Sequence, residues 1–228
     1  MKRPLRIVGT LCAGAGVLAA LWALTVWRWQ DPFTALYTTH QQQRLETVYE
    51  QRRAAYTPPV AKREPVRAQR AAIAQAALRY RQRLGARDAV GRLIVPRLGL
   101  DAIIVNGTDG SSLTKGPGRY EQSYVPGEGE LVYIAGHRTT YGAPFAHIER
   151  MRPGDRVTIE VPYGTFTYRV RNSIIVPADD VKRLRSSGYE VLALQACHPR
   201  FFATQRYIVY ATPMRVVPRG GTPYTIRR

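Results

Sequence analysis

Cysteine is nearly missing from this chain: Cys12 and Cys197 are the two among 228 residues. So few thiols exclude a disulfide framework. No Cys-x-x-Cys or His-Glu-x-x-His spacing is present, so a zinc ligand set drawn from Cys197, His137, His147 and His198 has no pattern behind it, and no metal or cofactor is expected. Acidic residues are also scarce, 16 against 34 Lys and Arg, which leaves a formal charge of +18. The imbalance is steepest in residues 1–90, with 15 basic and 5 acidic side chains, against 19 and 11 in residues 91–228. Such a charge suits an anionic surface. Nucleic acid is one such partner, but the exported location argued next sets it aside in favour of anionic lipid or wall polymer.

Uncharged stretches are short everywhere but one. Residues 7–27 run 21 positions without a charge, enough to cross a hydrocarbon core of about 30 Å. Lys2, Arg3 and Arg6 precede the run, and Trp22, Trp27 and Trp29 gather at its far end. A basic flank inside and an aromatic belt outside predict a single span, N-terminus cytoplasmic and the rest extracytoplasmic. The competing reading is a cleaved signal peptide. The run exceeds a usual signal core, and no small-x-small site follows Trp22, so residues 1–29 are read as tip and anchor. Cys12 lies inside the run behind Gly9-Thr10-Leu11, a poor lipoprotein signal, and is read as inert.

Residues 30–89 read as a basic, partly helical stalk. Segments 41–55 and 68–87 are rich in Gln, Arg, Ala and Leu, with Pro58, Pro59 and Pro65 between them. Neither carries a wide apolar stripe, so two solvated helices or a partly disordered spacer are expected. From residue 90 the pattern changes to short apolar runs punctuated by Gly, Pro, Asn and Asp. Strands are predicted over 92–95, 102–105, 131–135, 156–161, 165–176, 191–196 and 206–212, with short helices at 111–115, 143–150 and 178–185. The fold class is therefore mainly β, a closed or nearly closed barrel over 90–217 with short helices, preceded by one transmembrane helix. Residues 218–228 are expected to form a flexible tail.

Three of the predicted strands end in chemistry. Val191-Leu192-Ala193-Leu194-Gln195-Ala196 delivers Cys197 and then His198 and Pro199, which stops the strand. Arg206 precedes the next apolar run, facing the thiol if the two are adjacent antiparallel strands. Leu131-Val132-Tyr133-Ile134-Ala135 ends in Gly136 and His137. Each residue alone has a plain reading: a buried core thiol, a polar loop imidazole, a surface guanidinium. Together they supply a nucleophile, a proton carrier and a fixed cationic donor, a covalent-catalysis set. Chemistry from the residues reaches acyl transfer through cysteine and no further. His198, adjacent to the thiol in a strand, points to the opposite side. His147 is a weaker candidate, and His40 belongs to the stalk.

Three motifs, Ile134-Ala135-Gly136-His137-Arg138, Cys197-His198-Pro199 and Arg206 ahead of a final strand, resemble those of sortases, membrane-anchored cysteine transpeptidases. Gly136-His137-Arg138-Thr139-Thr140-Tyr141-Gly142-Ala143-Pro144-Phe145 and Lys115-Gly116-Pro117-Gly118-Arg119-Tyr120 are similar in particular to class E sortases of actinobacteria. The resemblance covers roughly residues 90–217. It implies Cys197 as nucleophile, His137 as general acid and base, and Arg206 as stabiliser of the oxyanion and substrate. It also implies a Leu-Pro-X-Thr-Gly or Leu-Ala-X-Thr-Gly sorting signal on secreted proteins, and an amine acceptor such as a cell-wall precursor or pilin. Tyr120, Tyr124, Thr139, Thr140, Tyr141 and Ala196 are candidate substrate contacts, and the loop 177–188 a groove wall. The family's threonines before the nucleophile are Ala193 and Ala196 here. A sorting-signal binding protein without turnover and a hydrolytic cysteine peptidase are the rival functions.

Overall fold

The computed structural model describes residues 2–28, 32–59 and 64–226. Its core is one antiparallel-rich sheet that closes on itself. The strands are β1 (Ala89–Val95), β2 (Leu100–Asn106), β3 (Gly118–Arg119), β4 (Leu131–Gly136), β5 (Arg156–Val161), β6 (Gly164–Pro177), β7 (Val191–His198), β8 (Gln205–Pro218) and β9 (Tyr224–Thr225). They are ordered β6-β5-β1-β2-β3-β4-β7-β8, and β6 also pairs with β8, which completes an eight-stranded barrel. Strand β9 adds outside that ring, on β8.

Alternation along each strand builds two apolar layers. In β4, Val132 and Ile134 point into the barrel, while Leu131 and Tyr133 join a second cluster on its outer face. In β7, Leu192, Leu194 and Ala196 point inward and Ala193 outward. The interior is filled by Leu93, Ile104, Ile159, Phe166 and Tyr168, all fully buried, each side chain of this kind contributing about 1.5–3 kcal/mol. Beneath them lies a polar anchor: the buried Glu190 carboxylate accepts from Tyr168 Oη at 2.6 Å and from the Gly127 and Gly129 amides at 3.0 and 3.2 Å. Burial raises the Glu190 pKa.

Helix α1 (Lys2–Arg28) contains, over Arg6–Leu24, a stretch long and apolar enough to cross a membrane. Its Ile7, Leu11 and Leu18 are exposed, as is Cys12. Trp29, counted above in the aromatic belt, lies outside the described residues.

The helices that follow correct the expectation of a solvated spacer. Helix α2 (Pro32–Ala54) docks along β2: the Gln42 side-chain amide donates to the Ile103 carbonyl at 3.0 Å and accepts from the Ile103 amide at 2.6 Å. It thus occupies backbone groups that a neighbouring strand would otherwise fill. Tyr49 is completely buried and donates to the Glu160 carbonyl at 3.1 Å. Helix α3 (Val66–Gln82) sends Ile73, Ala76, Ala77 and Tyr80 into the main core. Spaced i, i+3, i+4 and i+7, they form one helix face, narrow because two of the four are alanines, and it packs on the apolar main core. The tail expected to be loose from Pro218 is also packed: Tyr224 is buried and pairs with Val216, and the Thr222 amide donates to Gln69 Oε1 at 3.1 Å.

The three expected short helices are shorter still. Helix α4 (Gly110–Leu113) is capped by Asp109, whose carboxylate accepts from the Ser111 and Ser112 amides. The other two shrink to single 3-10 turns, Ile148–Arg150 and Val181–Leu184. Each segment is too short for helix propagation to offset the cost of nucleation.

Candidate active site

Cys197, His137 and Arg206 converge at one end of the barrel. Cys197 and Arg206 are directly opposed in the β7–β8 ladder. Strand β4 runs parallel to β7 with Gly136 level with Ala196, so His137 follows at the level of Cys197. Alternation places all three on the outer face, continuous with the layer of Tyr133, Ala193 and Ile208. The thiol is half-buried and unpaired with any other cysteine.

The backbone around His137 is held from several sides. Its carbonyl accepts from the Phe145 amide at 3.1 Å, which closes the following loop. Gly136 is required by that closure, because a Cβ there would sit 2.7 Å from the buried Phe145 ring. Tyr141, at φ 53°, lays its ring 5.2 Å from the imidazole. Its amide donates to Thr34 Oγ1 of α2 at 2.9 Å. Burial lowers the His137 pKa from its ordinary value, favouring the neutral ring.

Arg206 is half-buried and fixed by its own loop. Its Nη1 donates to the carbonyls of Ala203 at 2.7 Å and Gln205 at 2.9 Å. A guanidinium carries five N–H donors, more than these two bonds use, and the ladder sets Arg206 opposite Cys197. Preorganised donors of this kind, next to a nucleophile and a neutral base, suit attack on a carbonyl and capture of the oxyanion.

One residue quoted in the His motif received no role from sequence reasoning. Arg138 is 6 % exposed and points to the inner side. Its Nη1 donates to the Cys197 carbonyl at 3.2 Å and to His198 Nδ1 at 2.9 Å, and its Nη2 pairs with Glu149 Oε2 at 2.7 Å. This clasp ties the end of the His strand to the end of the Cys strand. The signal was present, a charged residue next to a candidate histidine, but its partners lie 11 to 60 positions away. His198 turns away from the thiol's face, as strand alternation requires, and its ring lies 6.0 Å from Tyr207. His147 sits 3.7 Å from Glu149, and His40 lies exposed on α2.

The candidate substrate contacts separate. Thr139, Thr140 and Tyr141 follow His137 directly, at the same barrel end. Tyr120 packs against the outer layer, its ring 6.4 Å from Tyr133. Two are corrected. Tyr124 lies at the opposite end, its amide bonded to the Leu131 carbonyl and its ring under the Arg81 guanidinium at 5.0 Å. Ala196 is completely buried within the barrel, because the residue beside an outward-facing cysteine must face in. Ala193, the other position at which the family pattern has threonine, is on the outer layer instead, in the cluster against which Leu184 of the 178–190 loop packs. That loop also bounds a hollow of roughly 400 Å³ lined by Lys182, Arg183, Arg185, Val191 and Tyr210, at the end of β7 remote from Cys197.

Comparison with known proteins meets this geometry. The family model described as the sortase domain matches residues 93–214. The chain is 35 % identical over 127 residues to sortase D of Bacillus subtilis (strain 168), covering 54 % of this chain and 63 % of that relative, so under two thirds of its length. A sortase D5 transpeptidase from Clostridium perfringens shares the fold at TM-score 0.62 and 18 % identity, over 77 % of this chain and 99 % of that one. Sortase E from Streptomyces avermitilis superposes at TM-score 0.54 with 29 % identity, over 59 % and 93 %.

Proposed function

From the chain's membership of the sortase family we propose a membrane-anchored cysteine transpeptidase. It cleaves a Leu-Pro or Leu-Ala-X-Thr-Gly type sorting signal and passes the acyl fragment to an amine acceptor, a cell-wall precursor or a pilin. The observation that supports this most is the register that opposes Cys197 to Arg206 and sets His137 level with both.

The steps follow from the residues. His137, whose burial favours the neutral ring, takes the Cys197 proton as sulfur attacks the scissile carbonyl. The carbonyl π pair moves to oxygen, and the Arg206 guanidinium neutralises the oxyanion while its tethered edge keeps the donors aimed. Collapse breaks the C–N bond, His137 returns its proton to the leaving amine, and a thioester remains on Cys197. An incoming amine then attacks the thioester, gives up a proton through His137, and the thiol reforms. Water in place of the amine would give hydrolysis by the same route.

The His-loop motif supports a class E assignment, and the identity to a sortase D sets a second class close beside it. Helix α1 serves as a single-pass anchor, with Lys2, Arg3 and Arg6 as the cytoplasmic flank and the barrel extracytoplasmic. The test is a library of sorting peptides with and without an amine. A ligated product and a trapped thioacyl adduct are expected. Hydrolysis unchanged by amine would make the protein a peptidase, and binding without turnover would make it a receptor.

A further inference from the structure

We propose that the catalytic end of the barrel faces the lipid bilayer, with Phe201, Phe202, Phe33 and Leu36 resting on its headgroup layer. This rests on the reading of α1 as a membrane span. Four observations point the same way.

The first is covalent reach. Arg28 ends α1 and Pro32 begins α2, four peptide units apart, a distance of at most about 14 Å. The second is where α2 then goes. Thr34, in its first turn, accepts from the Tyr141 amide at 2.9 Å, and the Tyr141 ring is 5.2 Å from His137. One turn on, the Thr38 hydroxyl donates to the Thr114 carbonyl at 2.8 Å. The anchor therefore enters the folded unit at the His137 end, not at the end occupied by Glu190 and the basic hollow.

The third observation is what this end displays. Cys197 and Arg206 are joined by a loop whose tip carries Phe201 and Phe202, 51 % and 77 % exposed. The left-handed backbone of Phe201 and Ala203 presents both rings at the tip; the Arg200 guanidinium lies 5.5 Å over the Phe201 ring, and Phe202 is the more open of the two. Phe33 and Leu36 of α2, each 73 % exposed, lie at the same end. The fourth is depth: the Phe33 ring lies 5.3 Å from the Trp22 ring, inside the Arg6–Leu24 span of α1. Aromatic side chains at the edge of a span favour the headgroup level.

A mouth at that level takes a peptide carbonyl, and an amine, that are themselves tethered to the membrane. It also keeps the scissile bond close to any apolar segment that follows it. Soluble peptides lose that advantage, since effective concentration at a surface comes from shared tethering.

The experiment uses the full chain in phosphatidylethanolamine–phosphatidylglycerol vesicles, with Cys12→Ser and Cys197→Ala and one new cysteine carrying a fluorescent bimane. Label at Phe202→Cys reports the catalytic end, and label at Ser187→Cys the opposite one. Lipid bearing a nitroxide near the headgroup should quench position 202 at least threefold more than position 187. Equal quenching, or stronger quenching at 187, in protein that resists carbonate extraction overturns the proposal and leaves the anchor standing. Release by carbonate overturns both. A second measurement separates membrane contact from peptide grip. The pair Phe201→Ser and Phe202→Ser, in an active chain, should lower turnover of a vesicle-tethered sorting peptide severalfold and leave a soluble one unchanged. Equal loss on both would assign the phenylalanines to the peptide.

Discussion

Cys197 and Arg206 stand opposite each other on adjacent antiparallel strands, nine positions apart in the chain. Side chains so paired have Cβ atoms about 4.5–5.5 Å apart, within reach of a guanidinium. The guanidinium is thus set by the ladder, by the Ala203 carbonyl of the preceding loop and by the Gln205 carbonyl that opens β8, before any substrate arrives. Replacing Cys197 by Ala should abolish turnover while thermal unfolding and peptide binding stay near wild type. Turnover near wild type would remove the nucleophile assignment.

Arg206→Lys keeps the charge but loses the fixed fork. The rate constant kcat should fall by roughly 10²–10³ with little change in KM, the size expected for loss of one oxyanion donor. A matched loss in affinity, measured by peptide titration into the Cys197→Ala background, would place Arg206 in ground-state binding instead.

Burial holds the His137 pKa below the ordinary imidazole value of 6.5. The neutral base therefore persists to more acid pH, and the acid limb of kcat/KM should have its midpoint below 6.5. The same shift acts on stability. A depressed imidazole pKa favours the folded state above 6.5, and that contribution is lost as pH falls through the folded value. His137→Asn should flatten both the residual rate profile and the fall in Tm over that window; a steep fall in Tm that survives the substitution would point to another titrating group.

Gly136→Ala places a methyl 2.7 Å from the fully buried Phe145 ring, so the ring or the backbone must shift. Because the Phe145 amide closes the His137 loop, the expected loss is about 1–3 kcal/mol of stability together with a drop in kcat. Urea denaturation and steady-state rates on the same sample check it. Full activity at unchanged stability would mean that the loop is not held by this contact.

Arg138→Met removes the clasp between the His and Cys strand ends and leaves the Cys197 carbonyl and His198 without their donor. A cost of about 1–3 kcal/mol is expected, read as a fall in urea midpoint. Glu149→Gln should cost much less, because Glu149 is 40 % exposed and its ion pair is screened by water. The reverse order would mean that the pair with Glu149, rather than the bonds to β7, carries the clasp.

Much of this was readable from residues alone. Alternating apolar runs and their turn residues gave the 156–161 strand at its observed bounds, Arg156–Val161, and located most of the others to within a few positions. Beyond them, β8 runs on to Pro218, and the two-residue strands β3 and β9 carry too few residues for a period to register. The stalk misled for a related reason: a helix that buries Ile73, Ala76, Ala77 and Tyr80 on an apolar rim needs no broad stripe of its own.

The chain by itself singled out the candidate atoms, since a thiol and an imidazole each close an apolar run and a guanidinium opens the next, and composition alone set the apolar N-terminal run apart from the short strands. Tertiary structure decided on which side those atoms lie. Parallel register between β4 and β7 and antiparallel register between β7 and β8 put Cys197, His137 and Arg206 on the outer face, turned Ala196 inward, and recruited Arg138 to lock the ends. Those choices depend on which strands become neighbours, and neighbours are selected by burial of the whole core rather than by any local run of residues.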